Sequence, residues 1–549
     1  MAAVELTRRE LVAAFLGSAV AASACRRTGA RELVPGAIVD RAVDVGHKLR
    51  GGPLPRAAET QTVDVLVVGA GVAGLSAAWR LAAAGVKDVR VLELEAEAGG
   101  TARSGRNEVS AYPWGAHYLP APLVDSGPVM RLLREMGVVT GVDAQGFPTF
   151  EEELLIREPE ERLFYKGEWY EGLYLRAGAS PADLSELERF EARMNAFAAA
   201  RDAKGRKAFA VPTALSSDDA EWTALDRVTM AQWMEAEGFR SPRLRWLVDY
   251  ACRDDYGTTA EGVSAWAGIW YFAARQDGKG ERSEGFLSWP EGNGRLVNQL
   301  MSSLPPGQVE RDVLVHTVEP VEGGCRVDAV EAGTGKPRAY RARQVVLACP
   351  RFVAGYVVAP WRQKRPEWLG AFQYGPWVVA NLTLSESPVS FGFPQAWDNV
   401  FYESRSLGYV VATHQRLRMV EHGPTVLTWY LPMAGLDVKA ERQKVLSAGY
   451  AEWEGLVMAD LMAAHPGIAS QARRLEVMRW GHAMVRPSPG FMWSPARFAA
   501  QESLGDALHF AHSDLGGMAL FEEANWFGVK AAERALKGLG RTDSSWLDP

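Results

Sequence analysis

Apolar and polar positions follow a clear pattern between Thr62 and Gly105. Residues 63–68 form a short, β-branched apolar run, which is typical of a buried parallel strand. An Ala- and Leu-rich helical pattern follows and ends near Gly85, and a second apolar run covers residues 89–92. The pattern therefore predicts a strand, a helix and a second strand in succession.

Three glycines stand between the first strand and the helix, with the spacing Gly69-x-Gly71-x-x-Gly74. Gly69 permits a tight turn, Gly71 lets the backbone approach a pyrophosphate, and Gly74 lets the helix pack closely on the strand. The helix N-terminus offers free N–H groups to the phosphates. Glu93 ends the second strand, where an acid can accept hydrogen bonds from a ribose diol. The unit predicts dinucleotide binding, and either NAD or FAD satisfies it.

A glycine pair, Gly99 and Gly100, follows Glu93 by six and seven residues. This spacing resembles the flavin amine oxidase superfamily, which also includes polyamine oxidases, protoporphyrinogen oxidase and the phytoene desaturases. In that family the pair lies along the diphosphate and ribityl chain of FAD, so the resemblance implies FAD as the cofactor. The Arg that usually follows the pair is Thr101 here, and Arg103, two residues further on, is a candidate cofactor ligand.

Further motifs that resemble this family occur in the expected order. Val313 ends a segment similar to the strand whose last valine pairs its backbone with adenine. Asp514 stands in a motif whose acid binds the ribityl chain. Phe521 and Glu522 begin a segment similar to the helix whose N-terminus points at the flavin pyrimidine oxygen. The resemblance thus implies an FAD site built from the first, middle and last thirds of the chain.

The stretches between these motifs predict a second domain. Ser180-Pro181-Ala182-Asp183 has the features of a helix start, with an N-cap, Pro at N1 and an acid at N3. Strand-like runs cover residues 377–384 and 425–431, and a helical run covers 451–464. We therefore predict an α/β protein with a Rossmann-like FAD-binding domain and an interleaved α+β substrate domain, the two-domain fold of amine oxidases.

The predicted domain boundaries follow the motifs. The FAD-binding domain comprises residues 62–140, 286–350 and 476–540, and the substrate domain comprises a mostly helical segment, 141–285, and a second segment, 351–475. Residues 1–25 are predicted to be an export signal, 26–61 a linker, and 541–549 a tail.

Composition limits the partners. A chain of 549 residues is too long for one ordinary core. Its net charge of −7 disfavours nucleic acid or an anionic membrane as the main partner. The four cysteines show no CxxC spacing and the nine histidines no HxxxH pair, so we predict neither a disulfide framework nor a metal site.

The N-terminus resembles an export signal. Arg8 and Arg9 precede an uncharged apolar stretch, residues 11–24, that is too short to span a bilayer. The paired arginines resemble a bacterial twin-arginine signal. Residues 22–25 resemble a lipoprotein cleavage box, which leaves a lipid anchor at Cys25 open. An ordinary buried helix is the alternative, but we expect an exported protein, periplasmic or associated with the cell envelope.

The loop from Tyr112 to Leu119 resembles the polyamine oxidase loop that passes the flavin ring and carries a His or Glu facing the substrate. His117 is therefore the catalytic candidate, as a base that titrates near neutrality and deprotonates an amine. A hydrogen-bonded structural histidine is the alternative.

Three departures weaken the assignment to amines. The strand expected to carry a flavin-facing Lys, residues 376–382, has none, with Ala380 among its residues, and Ala483 and Leu520 replace two aromatic rings. The first candidate function is amine oxidation by hydride transfer to flavin N5. Dehydrogenation or isomerisation of a hydrophobic, isoprenoid- or porphyrinogen-like substrate comes second, and a non-catalytic flavin scaffold third. The electron acceptor, O2 or a quinone, and the oligomeric state stay open.

Overall fold

A computed structural model of the protein describes residues 31–40, 43–276, 285–415 and 423–547. The predicted export signal and Cys25 lie outside these ranges. Two sheets dominate the described part of the chain, and each forms the centre of one domain.

The first sheet contains seven strands: β2 (Gln61–Val68), β3 (Val89–Leu92), β12 (Val309–Glu310), β13 (Val313–Val321), β14 (Gly324–Glu331), β15 (Pro337–Leu347) and β21 (Leu508–Phe510). Their order is β12-β3-β2-β15-β14-β13, and β21 pairs with the end of β15. The pairs among β12, β3, β2, β15 and β21 are parallel, and β13 and β14 add an antiparallel hairpin. The predicted Rossmann-like sheet is confirmed.

Two helices cover one part of this sheet. Helix α2 (Val72–Ala83) follows the glycine turn, and α16 (Phe521–Gly538) packs beside it. The contact is close at Gly528, where a Cβ atom would lie 2.2 Å from the Ala73 carbonyl oxygen. The last third of the chain is therefore held against the glycine-rich start of the domain.

The second sheet contains eight strands: β1 (Gly36–Ile38), β9 (Glu161–Tyr165), β10 (Glu168–Glu171), β16 (Tyr374–Leu384), β17 (Asp398–Phe401), β18 (Gly408–Val411), β19 (Thr425–Pro432) and β20 (Ala472–Val485). Their order is β1-β20-β16-β19-β18-β17-β9-β10. Trp377 of β16 lies opposite Trp480 of β20, and Val379 lies opposite Tyr430 of β19. These cross-strand pairs place aromatic side chains on one end of the sheet.

The remaining strands form three antiparallel pairs: β4 (Ser104–Arg106) with β5 (Ala111–Pro113), β6 (Tyr118–Pro120) with β11 (Phe286–Ser288), and β7 (Val139–Val142) with β8 (Pro148–Phe150). The other α-helices are α1 (Val43–His47), α3 (Gly127–Glu135), α4 (Pro181–Ala199), α5 (Ala220–Thr223), α6 (Met230–Ala236), α7 (Pro242–Tyr256), α8 (Ala265–Ala273), α9 (Gly294–Ser302), α10 (Arg351–Val357), α11 (Ala359–Gln363), α12 (Val438–Ser447), α13 (Tyr450–Ala464), α14 (Ile468–Gln471) and α15 (Pro495–Ala499). Among the described residues, no helix is both long enough and apolar enough to cross a bilayer.

The helix start predicted at Ser180 is confirmed. The Asp183 N–H donates to the Ser180 hydroxyl at 3.2 Å, and the Ser180 N–H donates to the Asp183 carboxylate at 2.9 Å. This reciprocal capping satisfies two N–H groups at the first turn of α4. The apolar face of α4 joins one core with α8 and with strand β2 of the first sheet.

Two domain boundaries differ from the prediction. Residues 36–38, expected in a linker, pair in parallel with β20 and so belong to the substrate-domain sheet. Strand β20 stays in that sheet to Val485, so the third FAD-binding segment begins after residue 485 rather than at 476. Both differences arise because β1 and the end of β20 are recruited by pairing with distant strands.

Candidate cofactor and substrate site

A cavity of about 460 Å³ lies at the carboxyl ends of β2, β3 and β15, the edge of a parallel sheet where ligands bind. Every predicted cofactor residue lines it except Gly74 and Glu522. The predicted residues in its wall are Gly69, Gly71, Glu93, Gly99, Gly100, Arg103, Val313, Asp514 and Phe521. The structure thus brings together residues from three separated stretches of sequence.

The glycine turn has the geometry that its spacing predicts. Gly69 has a φ of +99°, which side-chain-bearing residues rarely adopt. A Cβ at Gly74 would lie 1.8 Å from the Gly69 carbonyl oxygen, so only glycine allows this close packing of helix on turn. A Cβ at Gly71 would meet no atom within 4 Å, so the backbone there borders open space. This cradle, at the N-terminus of α2, fits the diphosphate of a dinucleotide.

Glu93 connects the glycine turn to the segment after β3. Its carboxylate accepts hydrogen bonds from the N–H groups of Ala70 at 2.7 Å and Glu95 at 2.9 Å. Burial raises the pKa of Glu93, although both backbone donors oppose the shift. Each carboxylate oxygen keeps further acceptor capacity at the cavity wall, which fits a ribose diol.

Asp514 presents an ionised carboxylate to the same cavity. It accepts hydrogen bonds from the Tyr374 hydroxyl at 2.5 Å and the Arg351 N–H at 2.8 Å, and His512 Nδ1 lies 2.9 Å from its other oxygen. Burial opposes ionisation, but these neighbours, His512 foremost, outweigh it and lower the pKa of Asp514. An ionised acceptor in this wall fits the hydroxyl groups of a ribityl chain.

Two predicted cofactor ligands, Arg103 and Val313, already have partners within the protein. Arg103 pairs with Glu95, and its guanidinium lies 5.2 Å from the centre of the Trp480 ring, so a carboxylate already neutralises it. The Val313 N–H donates to the Glu93 carbonyl at 2.8 Å. The expected pairing of adenine with Val313 therefore cannot use that N–H group, although Val313 lines the cavity.

A second cavity of about 120 Å³ adjoins the first. The two cavities share seven lining residues: Thr101, Ala116, Trp480, Ala483, Ala519, Leu520 and Phe521. Aromatic and ionisable side chains complete the wall of the second: His117, Tyr118, Trp377, Tyr430, Asp254, Asp255, Arg275 and Glu522. Glu522, predicted as a cofactor ligand, thus lies in the wall of the smaller cavity. The arrangement is a small compartment beside the end of a cofactor site.

His117 lies in this compartment, as the loop motif predicts, but its protonation differs from the prediction. Its ring stacks on Tyr430 with the centroids 4.7 Å apart, and Trp397 and Tyr118 also contact it. Burial lowers the pKa of His117 to about 4. The expectation that this residue titrates near neutrality is therefore wrong, because burial removes the water that would stabilise the charged imidazolium.

Two acids missed in the sequence, Asp254 and Asp255, face the compartment from the last turn of α7. Asp255 is fixed by an ion pair with Arg275 at 3.1 Å, and burial raises its pKa although Arg275 opposes the shift. Burial, followed by repulsion from Asp255 and Asp398, raises the pKa of Asp254 well above its usual value. Acids in the last turn of a helix oppose the helix dipole, a signal that could have identified them.

The departures from the family pattern occur where the two cavities meet. Trp377 and Val379 of β16 face the compartment, whereas Ala380 points to the opposite face and packs in the core with Trp429. The cavity-facing positions of this strand therefore carry no lysine. Ala483 and Leu520, at the expected aromatic positions, line both cavities.

A model of the flavin-containing amine oxidoreductase family matches residues 72–484. Among the solved structures that share the fold, three illustrate the low identity. Putrescine oxidase bound to putrescine has 17% identity and a TM-score of 0.62, covering 86% of this chain and 99% of its own. Cyclohexylamine oxidase from Brevibacterium oxydans has 18% identity and a TM-score of 0.60, covering 87% of this chain and 100% of its own. A fatty acid isomerase from P. acnes has 15% identity and a TM-score of 0.60, covering 86% and 98%. No curated protein sequence matches the chain.

Proposed function

Because the chain belongs to the flavin-containing amine oxidoreductase family, as an FAD-dependent oxidoreductase, we propose that it oxidises a small amine held in the second cavity. One observation carries the proposal: Asp254 and Asp255 lie in an aromatic-walled compartment that adjoins the cofactor cavity. Arg275 balances the charge of Asp255, so an ionised Asp254 gives the compartment one unpaired negative charge that attracts a cation. An alkylammonium ion is the cation that this family's chemistry consumes.

Bound FAD supplies an acceptor for the hydride that the substrate carbon releases. An alkylamine is protonated at neutral pH, since its pKa is roughly that of lysine, and it must lose that proton before its lone pair can assist hydride loss. Asp254 is the group that takes up the proton. Burial and the neighbouring Asp255 and Asp398 raise the pKa of Asp254, which favours a neutral carboxyl beside a neutral amine over an ion pair.

The other residues of the compartment orient the substrate and exclude water. Arg275 and Tyr118 hold Asp255, which leaves Asp254 as the acid without a hydrogen-bonded partner among the described residues. His117 stays uncharged near neutral pH, so it does not repel a cationic substrate, and its ring forms part of the wall with Tyr430. His117 is thus a positioning residue in this proposal.

The substitution Asp254→Asn tests this role. We expect anaerobic flavin reduction by small primary amines, followed by stopped-flow absorbance, to slow by about 10²-fold or more, as for loss of a general base. FAD content should be unchanged, since Asp254 lies outside the cofactor cavity. His117→Asn is the companion variant, and it should keep the wild-type pH profile between pH of about 6 and 9, because this imidazole is already neutral there. Wild-type reduction rates in Asp254→Asn would rule out the assignment.

A second function, dehydrogenation or isomerisation of an apolar carbon skeleton, is favoured by a different part of the wall. Part of this wall offers an apolar carbon skeleton an apolar surface, formed by Trp377, Val379, Met484 and Leu520. The wall also lacks the lysine expected of an amine-oxidising enzyme. Panels of lipophilic alkenes, tested beside the amines, distinguish the two. Flavin bleaching by alkenes and not by amines would favour this second function, and bleaching by neither would favour a flavin scaffold without catalysis.

A further inference from the structure

The N-terminal segment, described at residues 31–40 and 43–50, contributes to both the substrate-domain sheet and the wall of the cofactor cavity. Its strand β1 pairs with β20, and Asp40 then forms an ion pair with Arg479 at 2.9 Å. Helix α1 and the short 3-10 turn Lys48–Arg50 follow and line the cofactor cavity through Val43, Gly46, His47, Leu49 and Arg50. The family match begins only at residue 72, so this contribution to the cavity lies outside the matched region.

The charges of the cavity wall do not balance locally. The wall holds four carboxylates and four arginines: Asp40, Glu93, Glu95 and Asp514, with Arg50, Arg103, Arg442 and Arg479. Arg479 pairs with Asp40, and Arg103 pairs with Glu95. Arg50 and Arg442 have no carboxylate partner among the described residues, and Arg442 donates only to the Gly481 carbonyl, at 2.8 Å. Two arginines are thus left without an ion pair, while the two remaining carboxylates, Glu93 and Asp514, accept hydrogen bonds from other groups.

These unpaired cations lie close to one another. Burial, and next the charge of Arg50, lower the pKa of Arg442. Burial lowers the pKa of His482 to about 3, and Arg442, Arg50 and His47 add to the effect. Basic groups from the N-terminal segment, α12 and β20 therefore converge on one part of the wall. Like charges held together repel each other, and an anion between them would relieve the repulsion.

The geometry points to a phosphate-binding role: we propose that Arg50, from the N-terminal segment, and Arg442, from α12, together hold the diphosphate of FAD. Both phosphates are ionised at neutral pH, and guanidinium groups bind phosphate oxygens through charge-assisted hydrogen bonds. A Cβ atom added at Gly46 would lie 3.7 Å from the Leu94 Cδ2 atom, so α1 packs next to the segment that follows Glu93.

The test is the affinity of apoprotein for ligands with and without phosphate. For the double variant Arg50→Gln with Arg442→Gln, we expect the Kd for FAD and for ADP, from fluorescence titration, to rise by about tenfold or more. Adenosine, which has no phosphate, should bind as it does to the wild type. Binding of FAD should also depend less on salt in the variant. Lys48→Gln is the matched control, because Lys48 lies in the same 3-10 turn but not in the cavity wall.

Two results would overturn the proposal. Unchanged FAD and ADP affinity in the double variant would show that the arginines do not contact the diphosphate. Equal losses for ADP and adenosine would show that the substitutions disturb packing rather than charge. If the double variant does not fold, the same affinities are measured for Arg50→Gln alone. Arg50 is exposed, so its replacement leaves the core intact. None of these measurements involves an amine or turnover, so they are independent of the proposed reaction.

Discussion

Glu523 shows how a single carboxyl responds to full burial. It lies in the first turn of α16, and its two oxygens accept hydrogen bonds from the Thr213 N–H at 2.5 Å and the Thr213 hydroxyl at 3.0 Å. Gly516 packs directly against it, since a Cβ there would lie 1.9 Å from a carboxylate oxygen. Burial raises the pKa of Glu523 to about 7, although the contacts with Thr213 oppose the shift.

Glu523 should make the free energy of unfolding depend on pH. An unfolded Glu releases its proton near pH of about 4.3, whereas folded Glu523 keeps it to about 7. Between these values the folded state binds more protons, so this residue lowers the free energy of unfolding as pH rises and has no further effect above about 7. The substitution Glu523→Gln removes the titration. We therefore expect urea unfolding of the apoprotein to give a difference in the free energy of unfolding, variant minus wild type, that is larger at pH of about 8 than at about 5. A stability difference that is the same at both pH values would contradict this.

Sequence could locate some site residues but not their protonation. The loop motif places His117 correctly at the compartment, yet its pKa depends on Tyr430 and Trp397, which come from strands far along the chain. Asp254 belongs to no motif, and only the fold shows that the last turn of α7 faces the cavity. Residues whose role depends on local backbone geometry, such as Gly69, are the ones that a sequence pattern can identify.

Elements with a strong local pattern are predicted well. Strand β2, helix α2 and helix α13 lie within a few residues of their expected bounds, because each has the apolar periodicity of its own secondary structure. Strand β1 has only three residues, in a stretch rich in Arg, Gly and Pro, and it exists because the edge of β20 is available for pairing. Such elements depend on contacts distant in sequence, which no local pattern contains.

The substitution Gly36→Ala tests whether β1 anchors the N-terminal segment. A Cβ at this position would lie 1.7 Å from the Leu475 carbonyl oxygen and 2.6 Å from the Tyr450 hydroxyl, so the strand cannot pair as it does. We expect faster proteolysis within residues 31–50, and FAD release roughly tenfold faster, which corresponds to about 1.4 kcal/mol. Gly52→Ala is the control, because a Cβ there meets no atom within 4 Å. Equal protection in the two variants would show that β1 does not anchor the segment.

At the scale of the whole molecule, the site is assembled at the junction of two domains. Strands β2 and β3 and helix α16 supply the cofactor half, and β16, β20 and α7 supply most of the substrate half. The cofactor half was predictable because dinucleotide binding uses short motifs whose backbone geometry is local. The substrate half was not, because its side chains come together only through the pairing order of the second sheet.

The order of elements also bears on how the protein reaches its destination, which we propose to be outside the cytoplasmic membrane. The predicted twin-arginine signal, residues 1–25, lies outside the described residues, but the chain is docked soon after it. Arg31 forms an ion pair with Glu454 at 2.6 Å, and the N-terminal segment then lines the cofactor cavity. Since residues this close to the predicted signal line the cofactor cavity, we expect the chain to fold and take up FAD before the signal is removed. That order suits a route that carries folded proteins.

Replacing Arg8 and Arg9 by Lys should therefore retain the protein in the cytoplasm without affecting its cofactor. The paired arginines, rather than positive charge alone, are what a twin-arginine route requires, so the Lys pair keeps the charge and removes the signal. Cell fractionation with immunodetection measures the location, and the flavin absorbance of the retained protein shows whether it is loaded. The same substitutions at Arg26 and Arg27, just after the predicted signal, serve as the control and should leave export unchanged. If the Arg8 and Arg9 variant is exported as well as the wild type, the protein does not use this route; if the retained variant lacks FAD, loading does not precede export.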